Sequence, residues 1–580
     1  MTPLRFVFFA AVLSTACAPM SPVRRDAGAD AGELDAGRDA GRRDAGRDAG
    51  RDAGPCGALA QCEGECVDLA SDLRHCGECG NACEPPADAR ALCVASACDF
   101  ECVAGFAREG DTCVPTPRPL WPPSLSTSRS VRPVLRFWLP GGATEATVEL
   151  CADPACASPL ETLTVDGGEA APTMDLPRGP VFWRVSAAGL TGPTWRFDVA
   201  PGNGGAFGLS PDYDRDGYDD VAVGAPFAAE SAGRVAIHRG GSSGTTAGAS
   251  AVLRGAVAGA EFGSALACAG DLDGDGFADL AVGSPREGAA GRVRVFFGGP
   301  GGIPEEGARV VVLEAPSDEG VLFGGAIAGA GDLDGDGYGD LVVAAVGDGT
   351  TPGRIHVYRG QAGGIALSPS RTIDGVGRFG SAVAGAGDAN GDGFADVAVG
   401  AYGAGSMTGE AHVYFGGPDG LPGTPSVTIT GTTPNGRFGF SLAWIGDVNA
   451  DGFADLAVGA PNAEMARGHV LVFYGGPDGP RDTPDATIAG INSGGGYFGH
   501  SVAGMGDGNG DGVDDLAVGA FGVDGRRGRV SVFLGSASGL VTTMRKTIDG
   551  PFGAGGHFGW AIASAGDVDR NGSDDLLVGA

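Results

Sequence analysis

The residues best placed to do chemistry are aspartates, and they recur at a fixed spacing. A nine-residue pattern, D-x-[DN]-x-[DN]-G-x-x-D, begins at Asp212, Asp271, Asp332, Asp388, Asp447, Asp507 and Asp567, with 56 to 61 residues between successive starts. Alternate positions of a tight loop send oxygens inward, and calcium takes six to eight such oxygens at about 2.3–2.6 Å. In loop 1 the expected ligands are Asp212, Asp214, Asp216, the carbonyl of Tyr218, and Asp220. Loop 2 offers Asp271, Asp273, Asp275, Phe277 and Asp279, and loop 3 offers Asp332, Asp334, Asp336, Tyr338 and Asp340. Loops 4 and 5 offer Asp388, Asn390, Asp392, Phe394 and Asp396, then Asp447, Asn449, Asp451, Phe453 and Asp455. Loop 6 has Asp507, Asn509, Asp511, Val513 and Asp515, and loop 7 has Asp567, Asp569, Asn571, Ser573 and Asp575.

A glycine at the sixth position of every loop permits the sharp turn. The closing acid at position nine and the flanking strands exclude an EF-hand, whose bidentate acid stands at position twelve. A metal-free Asp/Asn-Gly turn would account for one copy but poorly for seven. Magnesium, which demands octahedral geometry and retains waters, is the lesser competitor. Acid count ranks the loops at Asp212, Asp271 and Asp332 as the strongest sites. The loop at Asp567, where Asn571 replaces an acid, ranks weakest.

Other chemistry is sparse. Gly240-Gly241-Ser242-Ser243-Gly244 matches G-x-S-x-G formally, but it lies between strands with no helix after it. The seven histidines show no H-E-x-x-H spacing, and His356 and His412 occupy equivalent strand positions. The chain contains a single lysine, Lys546, with no glycine beside it, so no phosphate loop is present. No catalytic residue is expected, and the chain reads as a binding protein.

The elements that must hold the loops are short strands. Before six of the loops stands Phe-Gly followed by small alternating residues, as in 262–267; after each comes an apolar strand ending in Gly-Ala or a near variant, as in 456–461. Two further strands, such as 528–533 and 486–488, complete the unit. Four short strands without helical periodicity, repeated about every sixty residues, make propeller blades. The Phe-Gly and Gly-Ala-Pro landmarks with the Asp loop between them resemble the FG-GAP repeats of integrin α-chain β-propellers, over roughly residues 205–580. That resemblance implies a calcium-stiffened platform that binds macromolecular ligands. No inserted domain interrupts the repeats, so recognition by an integrin I-domain does not carry over. Seven loops suggest seven blades; six blades, with 558–566 joining the strands after Asp212, is the alternative.

The rest of the chain sets the compartment. With 580 residues, 108 glycines and 43% hydrophobic residues, it can build real cores despite its glycine. Acidic residues outnumber basic ones 72 to 39, a formal charge of −33, which disfavours nucleic acid and anionic membrane surfaces. Arg5 and the apolar run 6–13 form an export signal too short to span a bilayer. Ser14-Thr15-Ala16-Cys17 resembles a bacterial lipobox, which implies lipidation of Cys17; it departs by having Leu13 one place early and serine where leucine is usual. Cleavage after Ala16 as an ordinary secreted protein is the alternative. The Asp-Ala-Gly repeats of 17–54 cannot bury enough apolar surface to fold and read as a tether.

Ten cysteines between Cys56 and Cys113 read as five disulfides rather than a zinc site in an exported chain. Their spacing, Cys62-x3-Cys66 and Cys76-x2-Cys79-x3-Cys83, resembles cysteine-rich repeats of stigma-specific-protein type across 55–115. Residues 118–200, with alternating strands, Trp183, Trp195 and Phe197, resemble a fibronectin type III β-sandwich. Cys151 and Cys156 are expected to close a loop there, and Cys268 to be a buried thiol. The functions these features suggest are an adhesion or recognition protein, an envelope spacer, or a polysaccharide-acting enzyme or its accessory. If Cys17 carries lipid, Cys17→Ser releases the protein from the membrane fraction or blocks its processing; unchanged membrane partition contradicts the lipoprotein assignment.

Overall fold

The computed structural model describes residues 210–580 apart from 317–321, 348–350, 492–494 and 572. It also describes 132–199 apart from 134, 141–142 and 178, stretches between 60 and 128, and residues 6–8. Cys17 and the 17–54 segment lie outside the described residues, as do 201–209. The chain divides into two units, Ala18–Cys102 with Arg108–Cys113, and Val114–Ala580 with Met1–Cys17 and Val103–Ala107. The smaller unit is built from two-stranded hairpins such as Ala89–Val94 with Ala97–Cys102. Cys83–Cys98 and Cys102–Cys113 are disulfides, and Cys79 and Cys93 are disulfide-bonded too.

In the larger unit, the aspartate repeats fold into consecutive antiparallel sheets. Repeat 2 is typical, a meander of Leu266–Gly270, Asp279–Ser284, Arg292–Phe296 and Val310–Glu314. Each strand reflects its sequence. Asp279–Ser284 is buried at every position, which suits its nearly continuous apolar run. Arg292–Phe296 alternates, with Val293 and Val295 buried and Arg292 and Arg294 half exposed. The first strands are rich in glycine and alanine, which suits their position against the first strands of successive repeats. Phe323–Gly331 is buried at all nine positions between such neighbours.

The Phe-Gly and Gly-Ala landmarks form the seam between sheets. Gly263 of repeat 2 donates its N–H to Gly283 O of the same repeat at 2.9 Å. Gly283 in turn abuts repeat 3 so closely that a Cβ there would stand 2.2 Å from Gly324 O. Gly519 meets Gly559 O in the same way, also at 2.2 Å. A second close approach needs both small size and positive φ: Gly233 sits at +87°, its Cβ position 2.0 Å from Phe262 O. The motif is thus a steric requirement for stacking sheets.

Among the described residues the first sheet has three strands, Val221–Ala225, Arg234–His238 and Ala251–Arg254. The last pairs Ile562–Gly566 with Asp575–Val578, along which Phe6–Phe8 runs parallel. The two ends of the repeat array meet. Val221 and Val223 share an apolar cluster with Ala565, Val568 and Leu577, and Gly241 N donates to Val568 O at 2.9 Å. The C-terminal strand does not pair with Val221–Ala225. Since each first strand leads into an Asp loop and each second strand returns from it, all Asp loops share one end of the propeller. The Phe-Gly and Gly-Ala turns share the other.

Ahead of the repeats, two sheets enclose one core. Arg118–Trp121, Leu135–Trp138 and Glu169–Ala170 form one; the other contains Glu145–Cys151, Pro159–Asp166, Gly179–Ala187, Trp195–Val199 and Ser126–Ser128. Leu135 and Phe137 from the first pack with Val148, Trp183, Trp195 and Phe197 from the second. Cys151 and Cys156 are disulfide-bonded. Cys268, half-buried in a first strand, is a free thiol whose pKa burial pushes up to about 12.

The seam can be tested by substitution. Gly519→Ala places a methyl against a backbone oxygen and is expected to cost about 2 kcal/mol or more, the range of overpacked buried sites. Gly299→Ala, where a Cβ meets nothing, serves as the control and should stay within about 0.5 kcal/mol. Denaturant unfolding of both variants measures the difference.

Candidate metal centre

The loops share one hydrogen-bond plan. The first aspartate folds the loop around its own carboxylate: Asp271 accepts from Asp275 N at 3.0 Å and Gly276 N at 2.8 Å. Asp447 does the same with Asp451 N and Gly452 N, and Asp507 with Asp511 N and Gly512 N. The fifth residue accepts from the N–H of the seventh in all seven loops, as Asp275 does from Phe277 at 3.1 Å and Asn571 from Ser573 at 3.0 Å. The ninth residue ties the loop to its sheet. Asp279 accepts from Leu272 N at 2.9 Å and, through its other oxygen, from Gly298 N at 3.0 Å. Asp220, Asp340, Asp396 and Asp455 repeat both bonds. Asp515 retains the second, from Gly535 N.

This plan points carboxylate oxygens at one another. In four loops three carboxylates bring oxygens within 4.8 Å of one another: Asp212, Asp214 and Asp220; Asp271, Asp273 and Asp279; Asp332, Asp334 and Asp336; Asp567, Asp569 and Asp575. Loops 4, 5 and 6, with Asn390, Asn449 and Asn509 at position three, do not form such a triad among the described residues.

Burial makes this crowding costly. It pushes the Asp396 and Asp455 carboxyls up to about 8, Asp332 and Asp515 to about 7, and Asp388 to about 6. Burial, reinforced by neighbouring carboxylates, takes Asp275 to about 8 and Asp279 well above the usual range. Asp340 is raised in the same way. Such groups take up protons unless a cation neutralises them. The donors are all oxygen and mostly anionic, the set a hard divalent cation prefers. By donor type the triads therefore fit a metal, which carboxylates at positions one and three, with a third at five or nine, would hold.

The loops also bond to one another around the ring. The eighth residue's N–H donates to the first residue's carbonyl in the preceding loop: Ala278 to Asp212, Gly339 to Asp271, Ala395 to Asp332, Ala454 to Asp388, and Asp514 to Asp447. The aromatic seventh residue lies over the preceding loop, so a Cβ on Gly335 would meet the Phe394 ring at 2.8 Å. Two acids outside the spacing pattern join this network. Asp514 accepts from Asp447 N and Asp219 from Asp567 N, at 2.9 and 3.0 Å, the latter across the closure of the ring. Only the doublets Asp219-Asp220, Asp514-Asp515 and Asp574-Asp575 hinted at them in the sequence. Pattern reading also missed the arginines on the third residue: Arg239 on Asp214 at 3.1 Å, Arg359 on Asp334 at 2.7 Å, and Arg309 on Asp273.

The other candidates have structural partners. His356 and His412 each face a threonine on the next strand, Thr372 and Thr428, and each ring packs on a phenylalanine of the Phe-Gly motif. Their equivalence reflects the repeat. Ser242 and Ser243 lie in the turn closed by Gly244 N to Gly241 O, and the nearby His238 ring bonds Thr246 O.

The raised carboxyls fix the sign of a pH effect. Folded-state values above the ordinary 3.8 contribute stability that is full below about pH 4 and lost as pH rises through about 6 to 8. In chelator, the melting temperature should therefore be higher at pH 5.5 than at pH 8.5. A metal-free melting temperature that rises across this interval contradicts the crowded-carboxylate description.

Comparison with known proteins bears on the repeats. The FG-GAP repeat pattern matches residues 203–238, 262–296 and 438–473, and the FG-GAP-like repeat pattern matches 332–399. The chain is similar to integrin alpha-IIb of Mus musculus, 40% identical over 154 residues, covering 25% of this chain and 15% of the integrin. It is also similar to phosphatidylinositol-glycan-specific phospholipase D of Bos taurus, 42% identical over 168 residues, 25% of this chain and 20% of that enzyme. A solved Dos1 propeller aligns with 70% of this chain and 86% of its own at 11% identity and a TM-score of 0.32. The chain thus spans a fifth or less of the length of these curated relatives. What the matched segments share with this chain is the repeat, and the chain carries FG-GAP repeats on an all-β propeller scaffold.

Proposed function

We propose that this chain is a calcium-binding recognition module of the cell surface, exported and held at the envelope through lipid on Cys17. The seven sheets read as seven blades, stiffened at one end by Ca²⁺ in the Asp loops. The other end is the ligand face, and the distribution of exposed apolar side chains carries this reading. Among the described residues of the repeats, ten large apolar side chains are exposed, and six lie on the Phe-Gly/Gly-Ala end: Phe227, Val257, Val376, Met465, Ile491 and Phe552. Met465 is 87% exposed. Apolar groups gathered on one face of an otherwise strongly acidic protein mark an interaction surface.

The same end carries backbone strain. Turns after Gly-Ala place Ala229 and Glu230, Glu464 and Met465, and Asp524 at φ near +50 to +60°. Left-handed geometry costs an L-residue roughly 1–2 kcal/mol, and such strain gathers at ligand-contacting segments. Half-buried Tyr497 stacks on Phe521 with ring centres 5.0 Å apart, and Trp560 lies 4.6 Å from the same ring. A face so furnished suits an extracellular protein or glycan and is ill suited to an inert envelope spacer. Among the described residues no helix is long and apolar enough to cross a membrane. The likeness to a phospholipase supports a second reading, an accessory to an enzyme acting on a surface glycoconjugate.

The test replaces Phe227, Met465, Ile491 and Phe552 together by serine in the full chain and compares capture on arrays of extracellular proteins and glycans. Loss of at least tenfold in binding, with unchanged calcium-dependent melting, is the expected result. Undiminished binding by the variant refutes the assignment of the face.

A further inference from the structure

The three loops with four aspartates are also the loops that meet arginines, and in loop 1 the arginine comes from the β-sandwich. Strand Trp195–Val199 buries Trp195, Phe197 and Val199 in the sandwich core, so alternation turns Arg196 to the opposite face. There it is only 2% exposed. Its guanidinium bonds the Asp212 carboxylate, which is fully buried, and lies 3.5 Å from Asp219 Oδ1. Asp219 is the residue that accepts from Asp567 N where the ring closes. Arg239 occupies the third residue of the same loop. Nearby, Arg215 of loop 1 donates to Thr194 O of the sandwich at 3.2 Å and to Asp275 O of loop 2 at 3.3 Å. The sandwich reaches loop 3 as well, where Arg118 bonds the Tyr338 hydroxyl at 3.0 Å.

We propose that loop 1 is not a metal loop in the intact protein: Arg196 supplies its positive charge, and the loop serves as the socket that docks the sandwich and pins the ring closure. Two of its four carboxylates, Asp212 and Asp214, are neutralised by arginine. A divalent cation placed among them would sit beside a buried guanidinium. In loop 1 the third-residue acid is paired with Arg239 and the first with Arg196, so a high acid count there does not mean tighter metal binding, and the ranking by acid count is reversed for this loop. The inference rests on the calcium reading only for its stoichiometric arm.

The test uses the full chain. Calcium bound at saturation, measured by equilibrium dialysis, should rise by one equivalent in Arg196→Met relative to wild type, and Arg196→Lys should behave as wild type. Independently of calcium, a thermal-melt cycle of wild type, Arg196→Met, Asp212→Asn and the double variant in chelator should be non-additive. Each single variant should lose several degrees, and the double variant little more than either. Equal calcium stoichiometry in wild type and Arg196→Met, or additive losses in the cycle, overturns the proposal. If no variant binds calcium, the calcium reading fails and the cycle alone decides the docking role. Should Arg196→Met fail to fold, Arg196→Gln, which keeps a hydrogen-bond donor without the charge, takes its place in both arms; a gain of one calcium equivalent with non-additive losses supports the socket, and unchanged stoichiometry or additive losses count against it.

Discussion

Burying carboxylates is the constraint on which the rest of this structure depends. Each loop closes on its first aspartate, loops 1 to 6 are stapled to their sheets by the ninth, and both tasks place anionic oxygens where water is scarce. Ionised carboxylates in such surroundings are costly unless paired or coordinated. The molecule meets the cost with backbone N–H donors throughout and with arginines at loops 1 to 3. Calcium, under the function proposed, supplies the remaining charge. Because loops 2 to 6 each bond to the one before, neutralising one of these sites is expected to steady its neighbour.

The opposite end obeys a steric constraint instead. Gly283 and Gly519 bring backbones of adjacent repeats together at distances no side chain would allow. That contact fixes the angle at which sheets stack and leaves the connecting turns free to vary. Phe227, Met465 and Phe552 stand on those turns. Under the function proposed, a floor of interlocked loops and a variable upper face would give a platform that pre-positions its binding residues and so lowers the ordering cost of recognition.

Much of this was legible in the sequence because it is periodic. The Asp spacing located every loop, and the Phe-Gly and Gly-Ala landmarks located the seams, since a repeated steric need leaves a repeated residue. What escaped was non-periodic. Asp219 differs from the Ala278 and Gly339 that fill its position in the next loops, and its partner Asp567 is more than three hundred residues away. Arg196 lies in a strand ahead of the repeats, and only the fold brings it to Asp212. Arg239 and Arg359 stand at matching strand ends, yet repeat 2 achieves the same pairing with Arg309 from a different strand. Chemistry that depends on contacts between elements leaves no local spacing to read.

The most direct test of the account is the melting temperature of the full chain as calcium is titrated at neutral pH. A site tenfold above its dissociation constant stabilises the fold by roughly 1.4 kcal/mol through mass action, and several sites act together. Melting should therefore climb by many degrees between excess chelator and millimolar calcium, continuing upward with the logarithm of calcium concentration. A melting temperature indifferent to both chelator and calcium would contradict the claim that cations in the Asp loops hold the propeller rigid.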